Sequence, residues 1–485
     1  FSRGTTATFV GRNGLIQESG LNGTEIVTNG DFATDSDWSK TNATISNGLA
    51  TITVTNGGFS ALSQSITYAT GKKYIITAQI QGLSGSSGKQ IKFQDKGDNT
   101  GGLNQGNGLI TLDETLQNIE ISWTANSNSN VIVITRQSNS GDYSFTIDNV
   151  SIKEIQLDVP RIDFTDDPTG HLLLEPQSTN LIPYSEDFSQ WYIDGNQSSP
   201  TIISELNPDG SSQVYQINLN SGGNIYRTIS ISSSIDYTFS VYIKGTGNGR
   251  LILSNPQSTP ENYVDFTATS EWQRIELTGS SSSTSVRVAI GSWSNSPASG
   301  TIQVFGAQLE QQSYATSYIP TSGSAVTRNQ EICNNSGTVN DFNSEEGVLY
   351  AEYKIGGDST DDFQIISLRD TFADSDVIGI GKQNSSNNIF IRLSIGSVNV
   401  FSNLSATPID GYNKVAISYK SGNSSAWVNG TKVYSSSSTF TPSLTLSKLS
   451  FQWTGPRTFN FYGKTKNLKV FKRALTDAEL QELTT

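Results

Sequence analysis

Few residues in this chain are of a type that does chemistry. There is one His, His171, and one Cys, Cys333. His171 lies against the apolar run Leu172, Leu173, Leu174 and has no partner at a metal-site spacing such as H-x-x-x-H. It is therefore expected to be a strand-edge residue rather than a base or ligand. A single cysteine excludes an intrachain disulfide and a thiolate metal cluster. The remaining residues suit sugar binding, which needs an exposed aromatic plate with polar neighbours for the hydroxyls. Of the seven Trp, Trp293 in GSWSNSPASG and Trp453 in FQWTGPRTF sit beside Gly, Pro and Ser. Both are expected on loops, with Arg457 near Trp453 as an added donor. No catalytic residue is assigned, and the chain is read as not an enzyme.

The elements that must hold these residues are strands. The chain is 15% charged and 34% hydrophobic with 44 Gly, and Ser, Thr and Asn fill much of the rest. Low charge with short β-branched runs and polar turns is the composition of all-β sandwiches. The 21 Phe, 18 Tyr and 7 Trp are enough to build a core, which sets the disordered reading aside. A net charge of −13 argues against nucleic acid or an anionic membrane as partner. No run approaches the roughly 18 apolar residues of a membrane span. With no Met in the chain, Phe1 is expected to lie inside a longer or processed product. FSRGTTATFV lacks the regions of a signal peptide.

An internal repeat organises the chain. TNGDFATDSDW (28–38) matches YSEDFSQW (184–191), KYIITAQIQG (73–82) matches DYTFSVYIKG (236–245), and IEIS (119–122) matches IELT (275–278). VIVI (131–134) is paired with VRVA (286–289), and IDNVSI (147–152) with FGAQL (305–309). Matches in one order at a nearly constant offset indicate duplication. Trp38 and Trp191 fall at matching places, so both read as core, and 184–191 reads as the first strand of the second sandwich. In 236–245, Tyr237, Phe239, Val241 and Ile243 alternate with Thr238, Ser240, Tyr242 and Lys244, the pattern of a half-buried strand.

The expected architecture is three antiparallel β-sandwich (jelly-roll) modules in tandem with one short C-terminal helix. The expected boundaries are 1–21 for an N-terminal segment, 22–158 for an inserted sandwich and 159–180 for a connector. The second sandwich is 181–312, a linker 313–340 and the third sandwich 341–485. In the third, Asn429-Gly430 suits a type I′ hairpin turn. Thr476 and Glu479 form a capping box, with Leu475 and Leu480 as its hydrophobic staple.

The stretch LLLEPQSTNLIPYSEDFSQW (172–191), with GAQLEQQSYATSYIPTSGSAVTRN (306–329), resembles phage virion fibre proteins of the head spike or head fibre type. FSRGTTATFVGRNGLIQESG (1–20) and VPRIDFTDDPTGHLLLEPQSTN (159–180) resemble one continuous stretch of that family, split here by an insertion. The two repeats resemble jelly-roll carbohydrate-binding modules. The C-terminal unit resembles laminin-G and concanavalin A-like lectins. Those lectin-like glycosidases carry acids spaced E-x-D-x-x-E or E-x-D-x-E on one strand face, and 341–485 has no such pattern.

The resemblances imply a non-enzymatic virion surface protein that binds host or environmental glycans. Its partners would be capsid or tail proteins and cell-surface or extracellular glycans, without nucleic acid or membrane insertion. A homo-oligomer is compatible with a fibre, although no heptad imposes one. They also imply a structural calcium in the first repeat, at Asp148 with Asp31 or Glu25. Asp370, Asp374 and Asp376 are a weaker loop candidate. The competing readings are a capsule polysaccharide depolymerase and a secreted bacterial adhesin. On the sequence alone, 172–191 reads as a junction between modules, and ligand contacts are sought around Trp293 and Trp453.

Overall fold

The computed structural model describes residues 1–485 except 21–22, 57, 96–102, 104–107, 128, 138–140, 256–261, 294–297, 357–362, 371–375, 384–387 and 455–457. The chain is almost wholly antiparallel β-structure, with one α-helix among the described residues, Asp477–Thr484. It forms two compact units, Ser19–Leu157 and Phe1–Glu18 with Asp158–Thr485. No helix of the described residues is long and apolar enough to cross a membrane.

Ser19–Leu157 is one sandwich. Its first sheet runs, in spatial order, Gln117–Thr124, Lys73–Gly82, Tyr143–Glu154, Leu49–Val54, Ala43–Ser46. Its second runs Ser39–Thr41, Ala61–Ser65, Val131–Arg136, Gln90–Gln94, Leu109–Thr111. Alternate residues of both sheets meet in a core that includes Ile76, Ile80, Phe93, Ile134 and Phe145.

The second sandwich, in the other unit, has the same strand order. One sheet runs Gln273–Ser280, Asp236–Gly245, Thr301–Glu310, Gln213–Asn218, Thr201–Ser204. The other runs Tyr192–Asp194, Asn224–Ser230, Ser285–Gly291, Asn248–Ser254, Asn262–Thr267. Even the irregularity is repeated. The ladder of the first copy shifts between Asp148 and Ser151, where Asn149 has φ 52°. That of the second shifts opposite Phe305, beside Gly306 at φ 64°. Both are β-bulges with the extra residue left-handed.

Three sequence readings need correction. VIVI against VRVA is out of register by one residue, because it sets Ile132 and Ile134 of the inter-sheet core on Arg287 and Ala289, which lie on the other face of their strand; Val286, Val288 and Ile290 are the positions in that core. A slip of one exchanges the two faces of a strand. The stretch 184–191 is a single 3-10 turn at Phe188–Gln190 capped by Asp187, rather than a first strand. The Trp pair is nonetheless equivalent. Trp38 packs on Phe32 and donates to Asn29 O, and Trp191 packs on Phe188 and donates to Tyr184 O. Finally, Asp236–Gly245 is not half-buried: Thr238 and Ser240 are as inaccessible as Phe239, because other segments of the unit cover that face.

In the third sandwich, a seven-stranded sheet runs Arg161–Asp163, His171–Leu174, Gly463–Phe471, Glu346–Ile355, Asn413–Lys420, Ser424–Val428, Thr431–Ser436. It faces Val398–Ala406, Ile389–Ile395, Val377–Lys382, Gln364–Arg369, Lys448–Ser450. Its first two strands come from 159–180. The apolar run extends the sheet by pairing Leu172 with Thr465, and Leu174 enters the core. The stretch 313–340 is also tied in, with Val326–Arg328 pairing to Ser178–Asn180. Asn429 and Gly430 both have positive φ in the hairpin between Ser424–Val428 and Thr431–Ser436, as a type I′ turn requires. The helix carries the full capping box of Thr476 and Glu479, and Leu475 and Leu480 pack with Trp427.

Candidate functional site

On the second sandwich, Ile225, Ile290 and Leu251 point into the core. Their strand neighbours Tyr226, Ala289 and Ile252 therefore lie on the other face of that sheet, where Tyr226 is half-buried and Ala289 and Ile252 are buried. Tyr192, on the edge strand, pairs with Tyr226, and their rings lie 5.5 Å apart. Arg287 reaches over the Tyr226 ring at 3.8 Å and the Trp293 ring at 4.9 Å. Its Nη1 also binds Asp194 Oδ2 at 2.6 Å. At the other end Arg227 lies 5.5 Å over Tyr192 and 5.6 Å over Tyr184, with Nη1 donating to Gln190 O. The result is a ladder in the order Trp293, Arg287, Tyr226, Tyr192, Arg227, Tyr184. Tyr192 is 59% exposed. Arg227 Nε and Arg287 Nε are buried without an acceptor.

Trp293 follows a constrained turn. Gly291 has φ 138°, and a Cβ there would stand 2.7 Å from Gly223 O. Only glycine fits so close an approach without strain. Ser292 N then donates to Gly223 O, and Asn224 Nδ2 to Ser292 O. Trp293 is thus on a loop, at the end of the ladder. Each stacked cation adds about 0.5–1 kcal/mol at an exposed site, so the ladder is ordered before any ligand arrives.

Trp453 is not on a loop. It sits in Gln452–Thr454, paired with Thr458–Asn460, with its ring 5.8 Å from Phe459 and Arg392 4.8 Å above it. Arg457 and Asp374 lie outside the described residues. The three acids assigned to calcium are not gathered into a ligand set. Glu25 accepts from Val27 N, Ile152 N and the Ser151 hydroxyl. Asp148 accepts from Asn149 N, and Asp31 is exposed. Among the described residues no group of three or more His, Cys, Asp or Glu side chains is placed to hold a metal. Asp376 is engaged by Gly396 N, Ser443 and Leu444 N.

The 172–191 stretch carries a different construction. Glu175 accepts from Arg161 Nη2 at 2.8 Å, Arg328 Nη1 at 2.7 Å and Ser317 N at 2.7 Å. Glu331 accepts from Arg3 Nη1 at 2.6 Å and Arg161 Nε at 2.7 Å. All five charged side chains are buried. Desolvation alone would raise the Glu175 carboxyl, but Arg328, Arg161 and Ser317 outweigh it and hold the pKa at about 2. His171 is likewise buried rather than at an exposed edge, with Nε2 3.2 Å from Asp163 Oδ1. Burial opposes ionisation of Asp163, yet His171, Val10 N and Thr165 keep it well below the carboxylate range. These groups fasten 1–18, 159–180 and 313–340 together.

Beside this network is a cavity of about 560 Å³. Trp272, Arg274 and Glu276 line it together with the 315–318 segment, where Arg274 donates to Thr316 O. None of the three was singled out from the sequence. Their W-x-R-x-E spacing was the available signal, since alternate residues share a face. Tyr192, Tyr226 and Arg287 were missed as well, because their importance depends on cross-strand pairing.

No family model matches the sequence, and no curated protein does. Among solved structures, the chain is similar to the N-terminal CBM22-1–CBM22-2 tandem of Paenibacillus barcinonensis Xyn10C, at 12% identity, covering 60% of this chain and 98% of that one with a TM-score of 0.25. It is also similar to the CBM40 of the Ruminococcus gnavus IT-sialidase, at 17% identity, covering 32% of this chain and 95% of that one with a TM-score of 0.27. The structural neighbours are thus carbohydrate-binding modules, at a distance.

Proposed function

We propose that this is a non-catalytic surface protein of a phage particle, on head or tail, that binds host or environmental glycans through the ladder on its second sandwich. One observation carries the glycan reading: Tyr192 and Tyr226, stacked and partly open to solvent, are flanked by Arg227, Arg287 and Asp194. A pyranose presents C–H groups to such rings and hydroxyls to such donors and acceptors. The particle reading rests on the sequence resemblance of 172–191 and 306–329 to fibre proteins. A glycan array run with the intact protein and with the Tyr192→Ala, Trp293→Ala double variant tests the first reading. Binding that survives the double variant undiminished defeats it. Immunogold labelling of purified particles tests the second.

A depolymerase reading is favoured by one group. The Glu276 side chain meets solvent at the cavity mouth, yet desolvation by the cavity wall raises its carboxyl above the ordinary value. That is the direction a general acid needs. Against it, neighbouring Glu175 and Asp166 are already paired with Arg161, Arg328 and Lys464. Release of reducing ends from capsule polysaccharide, lost in Glu276→Gln, would establish hydrolysis over binding.

A further inference from the structure

The cavity at Trp272 is separate from the ladder, which lies on the other sheet of the second sandwich. Its volume of about 560 Å³ falls within the roughly 300–1,000 Å³ of ligand pockets. One end is aromatic, built by Trp272, Tyr242 and Tyr318, which cluster with Ile16. The wall next to it is polar. Arg274 is held by Nη1 donating to Thr316 O at 2.6 Å and Nη2 donating to Ser240 Oγ at 2.9 Å. Its Nε is buried and has no acceptor. Glu276 follows two residues later on the same face. Lys354 lines the far end, beside the Lys464–Asp166 pair.

A buried guanidinium N–H with no acceptor is costly and is normally satisfied by water or a ligand. The Arg274 side chain lines a space that has an aromatic cluster at one end and Glu276 beside it. We propose that this cavity is a second saccharide site, taking one or two sugar residues. The ring face would lie against Trp272 and Tyr242, one hydroxyl oxygen would accept from a second N–H of the Arg274 Nη atoms, and another hydroxyl would donate to Glu276. Lys354 favours a residue carrying a carboxylate, as in a uronate. The proposal rests on the reading that the protein's ligands are glycans, but it uses none of the ladder residues.

The test is isothermal titration of the full chain with cellobiose, lactose, diacetylchitobiose and a uronate-containing disaccharide. Two further proteins are titrated beside it: Ala315→Phe, which enlarges a lining residue beside Glu276, and Glu276→Gln, which preserves shape. A third, Tyr192→Ala with Trp293→Ala, removes ladder rings. The expected result is binding that persists in the ladder variant, is lost in Ala315→Phe and is weakened about tenfold in Glu276→Gln. If binding is present in the intact protein and both cavity variants match it, the cavity site is overturned while the ladder reading stands. If no disaccharide binds any of the proteins, the cavity proposal also fails, whereas the ladder can still be judged on the longer glycans of the array. Should Ala315→Phe fail to fold, Glu276→Gln alone decides.

Discussion

The two sandwiches share one strand order and one bulge, and they differ on both outer faces. On the three strands that carry the ladder in the second copy, the first copy has Thr41, Ala61, Ser63, Val133 and Thr135 on the equivalent face, with Ala61, Val133 and Thr135 buried. There is no ring among them. On the opposite sheet, Asn118 pairs with Gln79 where Arg274 pairs with Tyr242, and Glu120 with Thr77 where Glu276 pairs with Ser240. Gln79 and Asn118 share one surface hydrogen bond, and neighbouring Leu116 is 59% exposed. Arg274 and Tyr242 instead stack in the wall of a cavity. The fold therefore needs neither the rings nor the arginines. What the second copy adds beyond the first is what function has to explain.

The largest effect should come from what fastens the cover on the second copy. Glu175→Gln leaves Arg328 buried without its carboxylate and Arg161 with Glu331 alone. Removing one partner of a buried pair costs about 3–5 kcal/mol. The loss should be confined to the unit Phe1–Glu18 with Asp158–Thr485, so calorimetry should show one transition moving down and that of Ser19–Leu157 staying in place. Joint movement of both transitions would dissolve the contrast between a fastened copy and a free one.

Acid should act on the same carboxylate. Its folded pKa, about 2, lies below the unfolded value of about 4.3. The stability it contributes is therefore complete above about pH 4.3 and is lost as pH falls through about 2. The amount is about 3 kcal/mol. Urea midpoints measured between pH 5 and pH 2 should fall steeply for the second unit, and Glu175→Gln should flatten that slope. An unchanged slope in the variant would assign the acid sensitivity elsewhere.

Next come the rings. An aromatic contact is worth about 0.5–1.5 kcal/mol, so Tyr192→Ala or Trp293→Ala should weaken glycan binding by up to about tenfold with little change in melting temperature. The converse sharpens the comparison. Thr41→Tyr, Ala61→Tyr and Val133→Arg together place a short ladder on the first copy, and binding stoichiometry should rise. A graft that folds and binds nothing would show that the rings alone do not make the site.

The duplication was legible because core residues such as Tyr237 and Phe239 recur at fixed strand positions, and the capping box because its signals are local. The one-residue slip at 131–134 was not, since Val, Ile and Ala read alike on either face until a partner strand fixes the register. The ladder was half legible. Trp293 stood out as a loop tryptophan, but Tyr192, Tyr226 and Arg287 are far apart in sequence and meet only through pairing of their three strands. Trp453 misled because Gly455 and Pro456 follow it, although its own residue pairs in a hairpin. For Glu175, the junction was readable from its place between modules. Its partners were not, because Arg161, Arg328 and Ser317 come from separate stretches.

The smallest effect lies at the shared bulge, and it separates what the duplicated fold requires from what each copy has added. Asn149 and Gly306 occupy the same left-handed position. Asn149 is exposed and bonds Gln79 Oε1 at 3.0 Å. A Cβ on Gly306 would come within 3.2 Å of both Tyr242 and Tyr318, the rings of the cavity's aromatic end. Asn tolerates this backbone almost as well as Gly, so backbone preference alone predicts that the residues are interchangeable. Packing predicts otherwise. Asn149→Gly should change stability by no more than about 0.5 kcal/mol, and Gly306→Asn should cost about 1 kcal/mol through crowding. Equal costs in chemical denaturation would mean that the bulge is under one constraint in both copies. Unequal costs, with the larger at Gly306, would show that the rings of the second copy have narrowed a position the first copy leaves open.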